Sequence, residues 1–287
     1  MKTYRLFTFL ALAATLLVAC EPKPEPTPSP ETEQEVLPAS FPRKHLIEEF
    51  TSQYCGYCPM GMDGIHSFMG TDTNFVLILH HYGYQADHFS VKGSLAITNK
   101  LRVNGAPSAC IDRAKTKYTG GNTVIFNPGS DLASAKKSQF VDTTYASINI
   151  KNTYNAETRE LRVNVSGVVC TDDHPDLKLT VLVKESGMID FQADYLKTQN
   201  GWKEFRHTNA VRAYLSDSPL GDSVFVNNHR YEDVFAVDIK EKWNADNCMV
   251  VAFLSEDFQP IVQVAQKPVV EGTQGGADIL HEGITKY

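Results

Sequence analysis

Five residues constrain this chain more than any others: Cys55-Gly56-Tyr57-Cys58-Pro59. They follow His45 to Phe50, which reads as a strand. They open Pro59 to Gly70, which reads as a helix with proline tolerated in its first turn. Two cysteines separated by two residues at such a handover have a chemical meaning. A sulfur there faces unpaired N–H groups and the positive end of the helix dipole, both of which favour the thiolate. That makes Cys55 the expected nucleophile. Cys58, one turn later, can close a small ring and release a mixed disulfide. Two plainer assignments stay open, an inert structural bridge and part of a metal site. Zinc needs four ligands, usually in paired spacings. A second Cys-x-x-Cys or His-x-x-x-His pair is missing, so His66, His80 or Cys110 would have to converge on the site, and no metal is assigned.

The residues around the motif alternate in kind. Phe75 to Leu79 (FVLIL) is a continuous apolar run, as expected of a central parallel strand buried on both faces. Ala86 to Leu101 has a mostly helical pattern, Ala106 to Ile111 reads as a short strand entered through Pro107, 118–126 as a hairpin turning at Gly120-Gly121, and Asp131 to Phe140 as a last helix. Strands alternating with helices imply a layered α/β domain over 42–141 with a parallel element.

From about residue 145 the texture changes. Ala146–Lys151, Glu160–Val168, Leu177–Lys184, Tyr231–Ile239, Met249–Ser255 and Pro260–Ala265 alternate or are rich in β-branched residues, with turn residues between them. Such spacing predicts an antiparallel, immunoglobulin-like β-sandwich over 142–270. The segment around Arg212 reads as a packed strand with a turn. The glycine-bearing tail, 271–287, reads as loose.

The N-terminus is an address. Lys2 and Arg5 precede an apolar run that ends at Leu17-Val18-Ala19-Cys20, the pattern of a secretory signal over 1–19. The cysteine at that position resembles the lipobox of bacterial lipoproteins. The resemblance implies cleavage before Cys20 and lipidation of its sulfur and amino group, and two or more acyl chains anchor stably. Residues 20–41 are dominated by proline and glutamate and have almost no apolar surface to bury, so they are expected to stay extended as a spacer. The net charge of −7, which becomes −9 once Lys2 and Arg5 are removed, argues against a nucleic-acid-binding surface.

The segment Ile47-Glu48-Glu49-Phe50-Thr51-Ser52-Gln53-Tyr54-Cys55-Gly56-Tyr57-Cys58-Pro59 resembles the thioredoxin superfamily. The resemblance implies that Tyr54 is the aromatic residue before the nucleophile. It makes Glu49 the family's buried acid, which takes the Cys58 proton, and Pro107, after Gly105-Ala106, the proline that is cis and faces the disulfide. Strand alternation lets only one of Glu48 and Glu49 face the cysteines, and spacing favours Glu49. Tyr54, Gly56, Tyr57 and Ala106 would then bind an extended cysteine-containing peptide. The Gly-Tyr pair between the cysteines is similar to that of periplasmic disulfide isomerases and departs from the Gly-Pro of cytoplasmic reductants.

The order of lipobox, Pro-rich spacer, cysteine pair, His207-Thr208-Asn209-Ala210-Val211-Arg212-Ala213 and Val250-Val251-Ala252-Phe253 resembles the Omp-twenty-eight-related family of outer-membrane lipoproteins. That resemblance implies an outer-membrane location and a thioredoxin-like domain followed by a sandwich. The expected activity is thiol–disulfide exchange on envelope or surface proteins, with cysteine-containing proteins or an upstream redox donor as partners and no organic cofactor. The rival expectation is a surface binding or adhesion lipoprotein whose thioredoxin-like domain is only a scaffold. Three further expectations concern single residues. His80 and His81, ending the second strand on the same sheet edge as the cysteines, read as solvated loop histidines, with stabilisation of the thiolate by one of them as the alternative. Cys110 reads as a buried small apolar side chain or as a third redox partner. Cys170 and Cys248, both flanking sandwich strands, are candidates for a structural disulfide in an oxidising compartment.

Overall fold

The protein is described here by a computed structural model covering residues 36–115 and 123–287. The signal segment, Cys20, the spacer as far as residue 35 and the turn expected at Gly120-Gly121 lie outside the described residues. In chain order the strands are β1 (Phe41–Pro42), β2 (His45–Phe50), β3 (Phe75–His80), β4 (Ser108–Ile111), β5 (Thr143–Thr144), β6 (Asn149–Tyr154), β7 (Glu160–Val168), β8 (Leu177–Glu185), β9 (Met188–Gln192), β10 (Trp202–His207), β11 (Ala210–Tyr214), β12 (Asp222–Ser223), β13 (Arg230–Asp238), β14 (Cys248–Glu256), β15 (Ile261–Pro268) and β16 (Glu282–Lys286). The helices are α1 (Cys58–Met69), α2 (Lys92–Lys100) and the single turn α3 (Pro128–Asp131). The fold is thus mostly β-sheet with few helices.

Every residue of β2 and β3 is buried. The two run parallel in register, Ile47 beside Leu77 and Glu49 beside Leu79, and β4 pairs antiparallel on the other side of β2. Burial on both faces explains why FVLIL lacks alternation. Ile47, Leu77 and Leu79 pack with Met62 and Ile65 of α1 on one face. Phe50 and Cys110 pack with Ile97 of α2 on the other.

These strands continue into the second half of the chain. The large sheet has the order β15-β14-β8-β11-β3-β2-β4, with β12 added beside β8. β11 is the join: it pairs parallel with β3 at Ala210 and Leu79, and antiparallel with β8. The large sheet thus runs across the expected boundary between 141 and 142, and 37–287 form one compact unit. A second sheet, β13-β7-β6, packs over part of the large one. Leu161, Val163 and Val165 of β7 meet Val181 and Val183 of β8 and Val250 and Ala252 of β14 in the largest core, a sandwich arrangement.

Two further expectations change. The helix read over Asp131 to Phe140 is only α3 and two 3-10 turns at Leu132–Ser134 and Lys137–Gln139. Leu132 alone in that stretch is buried, so no apolar stripe holds a longer helix down. The tail is not loose throughout: β16 pairs antiparallel with β10. The hairpin β9–β10 and its third strand β16 have only short, mixed patterns in sequence. No helix among the described residues is long and apolar enough to cross a membrane.

Candidate functional site

The site grows from the handover between β2 and α1. Two tight turns follow β2: Cys55 N donates to Ser52 O (3.0 Å) and Cys58 N to Cys55 O (3.3 Å). α1 then starts, with Tyr57 as its N-cap residue, Cys58 first in the helix and Pro59 in its first turn. Pro59 fits because its missing N–H is one that a helix start leaves unpaired. Cys55 and Cys58 are joined as a disulfide, their Cα atoms 5.4 Å apart. Cys58 is fully buried, and Cys55 keeps only 6% of its surface. Tyr54 and Tyr57 on either side are 39% and 49% exposed, so the pair lies just below an aromatic surface.

Glu48 and Glu49 are both fully buried, on opposite faces of β2. Glu48 points away from α1. It accepts from Arg113 Nε (2.7 Å) and Nη2 (2.9 Å), and it lies 3.1 Å from His80 Nε2 and 3.6 Å from Cys110 Sγ. Burial alone would raise its pKa, but Arg113 and His80 outweigh burial and hold the carboxyl well below the usual range. Arg113 is covered in turn by the Phe258 ring, 4.3 Å from its centroid. Glu49 lies on the α1 face, and neither of its oxygens has a hydrogen-bond partner. Burial raises its pKa well above the ordinary carboxyl value, because no partner offsets the cost of desolvating a charge there.

Pro107 and Glu49 meet the same point of α1. A methyl group built on Gly61 would stand 2.6 Å from Pro107 Cβ and 3.1 Å from Glu49 Oε1. Gly61 is three residues beyond Cys58 and so lies on the same helix face. Glycine is required there because a side chain would displace one of them. The Ala106–Pro107 bond is cis. Gly105, just before, has no neighbour within 4 Å on its side-chain side among the described residues.

Residues from the second half of the chain, which the sequence did not point to, complete the site. Ala193 N donates to Gln53 O (2.7 Å) and Tyr195 N to Gly56 O (2.9 Å). Gln192 Nε2 donates to Cys55 O (3.1 Å) and Gln53 Nε2 to Phe191 O (2.8 Å). The Tyr195 ring lies edge-on to Tyr57, with centroids 5.6 Å apart, and Phe191 sits 6.1 Å from Tyr54. These contacts hold a strap, residues 191–195, against the backbone of the cysteine turn. Only the long-range placement of β9 and β10 brings it there, so no local pattern announces it.

The remaining candidates lie elsewhere. His80 and His81 are buried rather than solvated: His80 is fixed between Glu48 and Ser94 Oγ (3.0 Å), and His81 by Asp87 (2.7 Å). Their strand end is covered by the loop at Asp87–Ser90 and by α2. Cys110 is buried and free. Cys170 and Cys248 are both free, and the expected bridge is absent. Cys248 begins β14 in the large sheet beside Glu185. Cys170, beyond β7, turns its thiol to Ala39 O at 3.4 Å. Arg212 lies on β11, paired with Glu185 (3.1 Å). Among the described residues no group of three His, Cys, Asp or Glu side chains is placed to hold a metal.

Comparison with known proteins fixes the family. The model of the family described as Outer membrane protein Omp28 matches residues 95–273, more than half of the chain. This chain belongs to the Omp28 family. Omp28 membership places it at the outer membrane. The match begins after the cysteine pair, which family membership therefore leaves unexplained. Among solved structures, the chain is similar to HBP35 of Porphyromonas gingivalis, at 20% identity and a TM-score of 0.66, over 84% of this chain and 80% of that one. A domain of the outer membrane lipoprotein Omp28 from Porphyromonas gingivalis aligns at 19% identity and a TM-score of 0.29, over 44% of this chain and 88% of that domain. No curated protein matches the chain significantly.

Proposed function

We propose that this Omp28-family protein is a lipid-anchored thiol–disulfide exchange protein. Its 42–141 portion is a thioredoxin-like unit carrying the reactive pair, and Cys20 carries the anchor. The observation that supports this reading best is the convergence of a disulfide at the N-terminal turn of α1 with Pro107 and an unpartnered, buried Glu49. A purely structural bridge has no use for a buried carboxyl, which costs several kcal/mol to ionise there.

The chemistry balances within the pair. In the reduced protein the Cys55 thiolate attacks one sulfur of a client disulfide. An S–S bond forms to Cys55, and the other client sulfur leaves as a thiolate. Cys58 then loses its proton to the Glu49 carboxylate and attacks the Cys55 sulfur. The Cys55–Cys58 disulfide closes and the client leaves with both electrons. In reverse, a client thiolate attacks Cys55, Cys58 departs, and the neutral Glu49 carboxyl protonates it. Tyr54, Gly56, Tyr57, Ala106 and Pro107 form the face that meets an extended cysteine-containing segment of an envelope protein.

The low exposure of Cys55 favours a second reading, a binding lipoprotein in which the same unit is a scaffold. A redox titration separates the two. A potential above about −300 mV, with iodoacetamide labelling Cys55 ahead of Cys58 near neutral pH, supports exchange; a lower potential indicates an inert bridge.

A further inference from the structure

Cys55 is nearly covered although both neighbouring tyrosines reach solvent. The strap, residues 191–195, lies against the turn that carries it. A methyl group built on Gly56 would fall 2.3–2.5 Å from the Tyr195 ring atoms, so the ring lies directly on the Gly56 backbone. The ring is placed by main-chain bonds from Ala193 to Gln53 and from Tyr195 to Gly56, while Gln192 holds the Cys55 carbonyl. Its own loop is tied down beyond the site: Trp202 Nε1 donates to Asp194 Oδ2 (2.8 Å), and Lys197 reaches Asp63 of α1 (2.9 Å). Elsewhere, Gly105, two residues before Pro107, has no neighbour within 4 Å on its side-chain side among the described residues, and it lines a groove of about 720 Å³ with Lys100 and Arg102.

We infer that Tyr195 is a specificity-determining residue of the exchange site: its ring closes the Gly56 side, so that a sulfur on a narrow extended segment reaches Cys55 more readily than one on a broad folded surface. This rests on the exchange reading above. A folded protein presenting a broad surface meets the ring and must displace the strap. A small thiol does not. The observed rate for a broad partner is then its intrinsic rate scaled by the small fraction of molecules with the strap open.

The test uses the oxidised full-length lipoprotein in detergent and two reductants, dithiothreitol and a reduced folded dithiol protein (thioredoxin). Tyr195→Ala should speed reduction by the folded protein at least about tenfold and by dithiothreitol no more than about threefold. Tyr195→Phe should behave as the wild type, because the ring and not the hydroxyl forms the cover. Gly56→Ala should mimic Tyr195→Ala by pushing the ring away, and it should add nothing in the Tyr195→Ala background. The redox potential should stay the same in Tyr195→Ala and Tyr195→Phe. Equal acceleration of both reductants, no acceleration of either, or additive effects of Gly56→Ala and Tyr195→Ala would overturn the role of Tyr195 alone. A wild-type pair without preferential labelling of Cys55 would overturn the exchange reading, and this inference with it.

Discussion

Glu48 and Glu49 are adjacent on β2, yet one is a carboxylate locked to Arg113 at 2.7 and 2.9 Å and the other has no partner at all. The pleat sends them to opposite faces, and the partners on each face decide their charge. One side chain stabilises the sheet, and the other is poised on the cysteine-bearing helix.

Glu49 should make stability depend on pH. Its folded pKa lies above that of a free glutamate, so between the two values the folded chain holds a proton that the unfolded chain has released. Stability is then full below about pH 4.3 and falls as pH rises toward the folded pKa. Glu49→Gln should abolish that fall and leave the protein more stable at pH 8 in urea titrations. In stopped-flow exchange, the same variant should release mixed disulfides several-fold more slowly. A variant with wild-type release rates removes Glu49 from proton transfer.

Arg113 should be costly to remove. Arg113→Met leaves Glu48 buried without its cation and should destabilise by about 3–5 kcal/mol. Adding Glu48→Leu removes the orphaned charge and should recover most of that loss in denaturant titrations. A double variant as unstable as the single would show that the guanidinium matters through its packing on Phe258.

Much of this was legible in sequence, and the failures share a cause. The β2–α1 handover, the FVLIL strand and strands such as Glu160–Val168 were readable because period and turn chemistry are local. Glu49 could be ranked above Glu48 by spacing. The strap was not readable: Gln192 and Tyr195 reach the cysteine turn through β9 and β10, whose strands are held by neighbours far away in sequence. His80 and His81 were misjudged for the same reason, since Ser94, Asp87 and Glu48 bury them from three different segments. The continuous sheet through β11 depends on a parallel pairing at Ala210 that no pattern encodes.

Lys184 should give the opposite pH slope to Glu49. Its Nζ is buried, donating to Leu77 O (2.8 Å) and Asn209 Oδ1 (2.9 Å) without a carboxylate, and burial pushes its pKa down to about 7. Between pH 7 and the usual lysine value of about 10.4 the unfolded chain binds a proton that the folded chain lacks, so stability rises with pH there. Lys184→Met should flatten that limb in thermal melts taken from pH 7 to 10. An unchanged slope would place the titration elsewhere.

The unbridged thiols can be counted chemically. Alkylation of the processed lipoprotein in denaturant without reductant should label Cys110, Cys170 and Cys248 in peptide maps, and reduction should add Cys55 and Cys58. A Cys170–Cys248 cross-linked peptide would contradict the two free thiols described above.

Trapping tests the central claim most directly. Full-length Cys58→Ala and Cys55→Ala variants, expressed in the native envelope and acid-quenched, are resolved by non-reducing electrophoresis. The account predicts reductant-sensitive adducts with envelope proteins for Cys58→Ala, whose Cys55 attacks without a resolving partner, and almost none for Cys55→Ala. Adducts on neither variant, or equally on both, would contradict it.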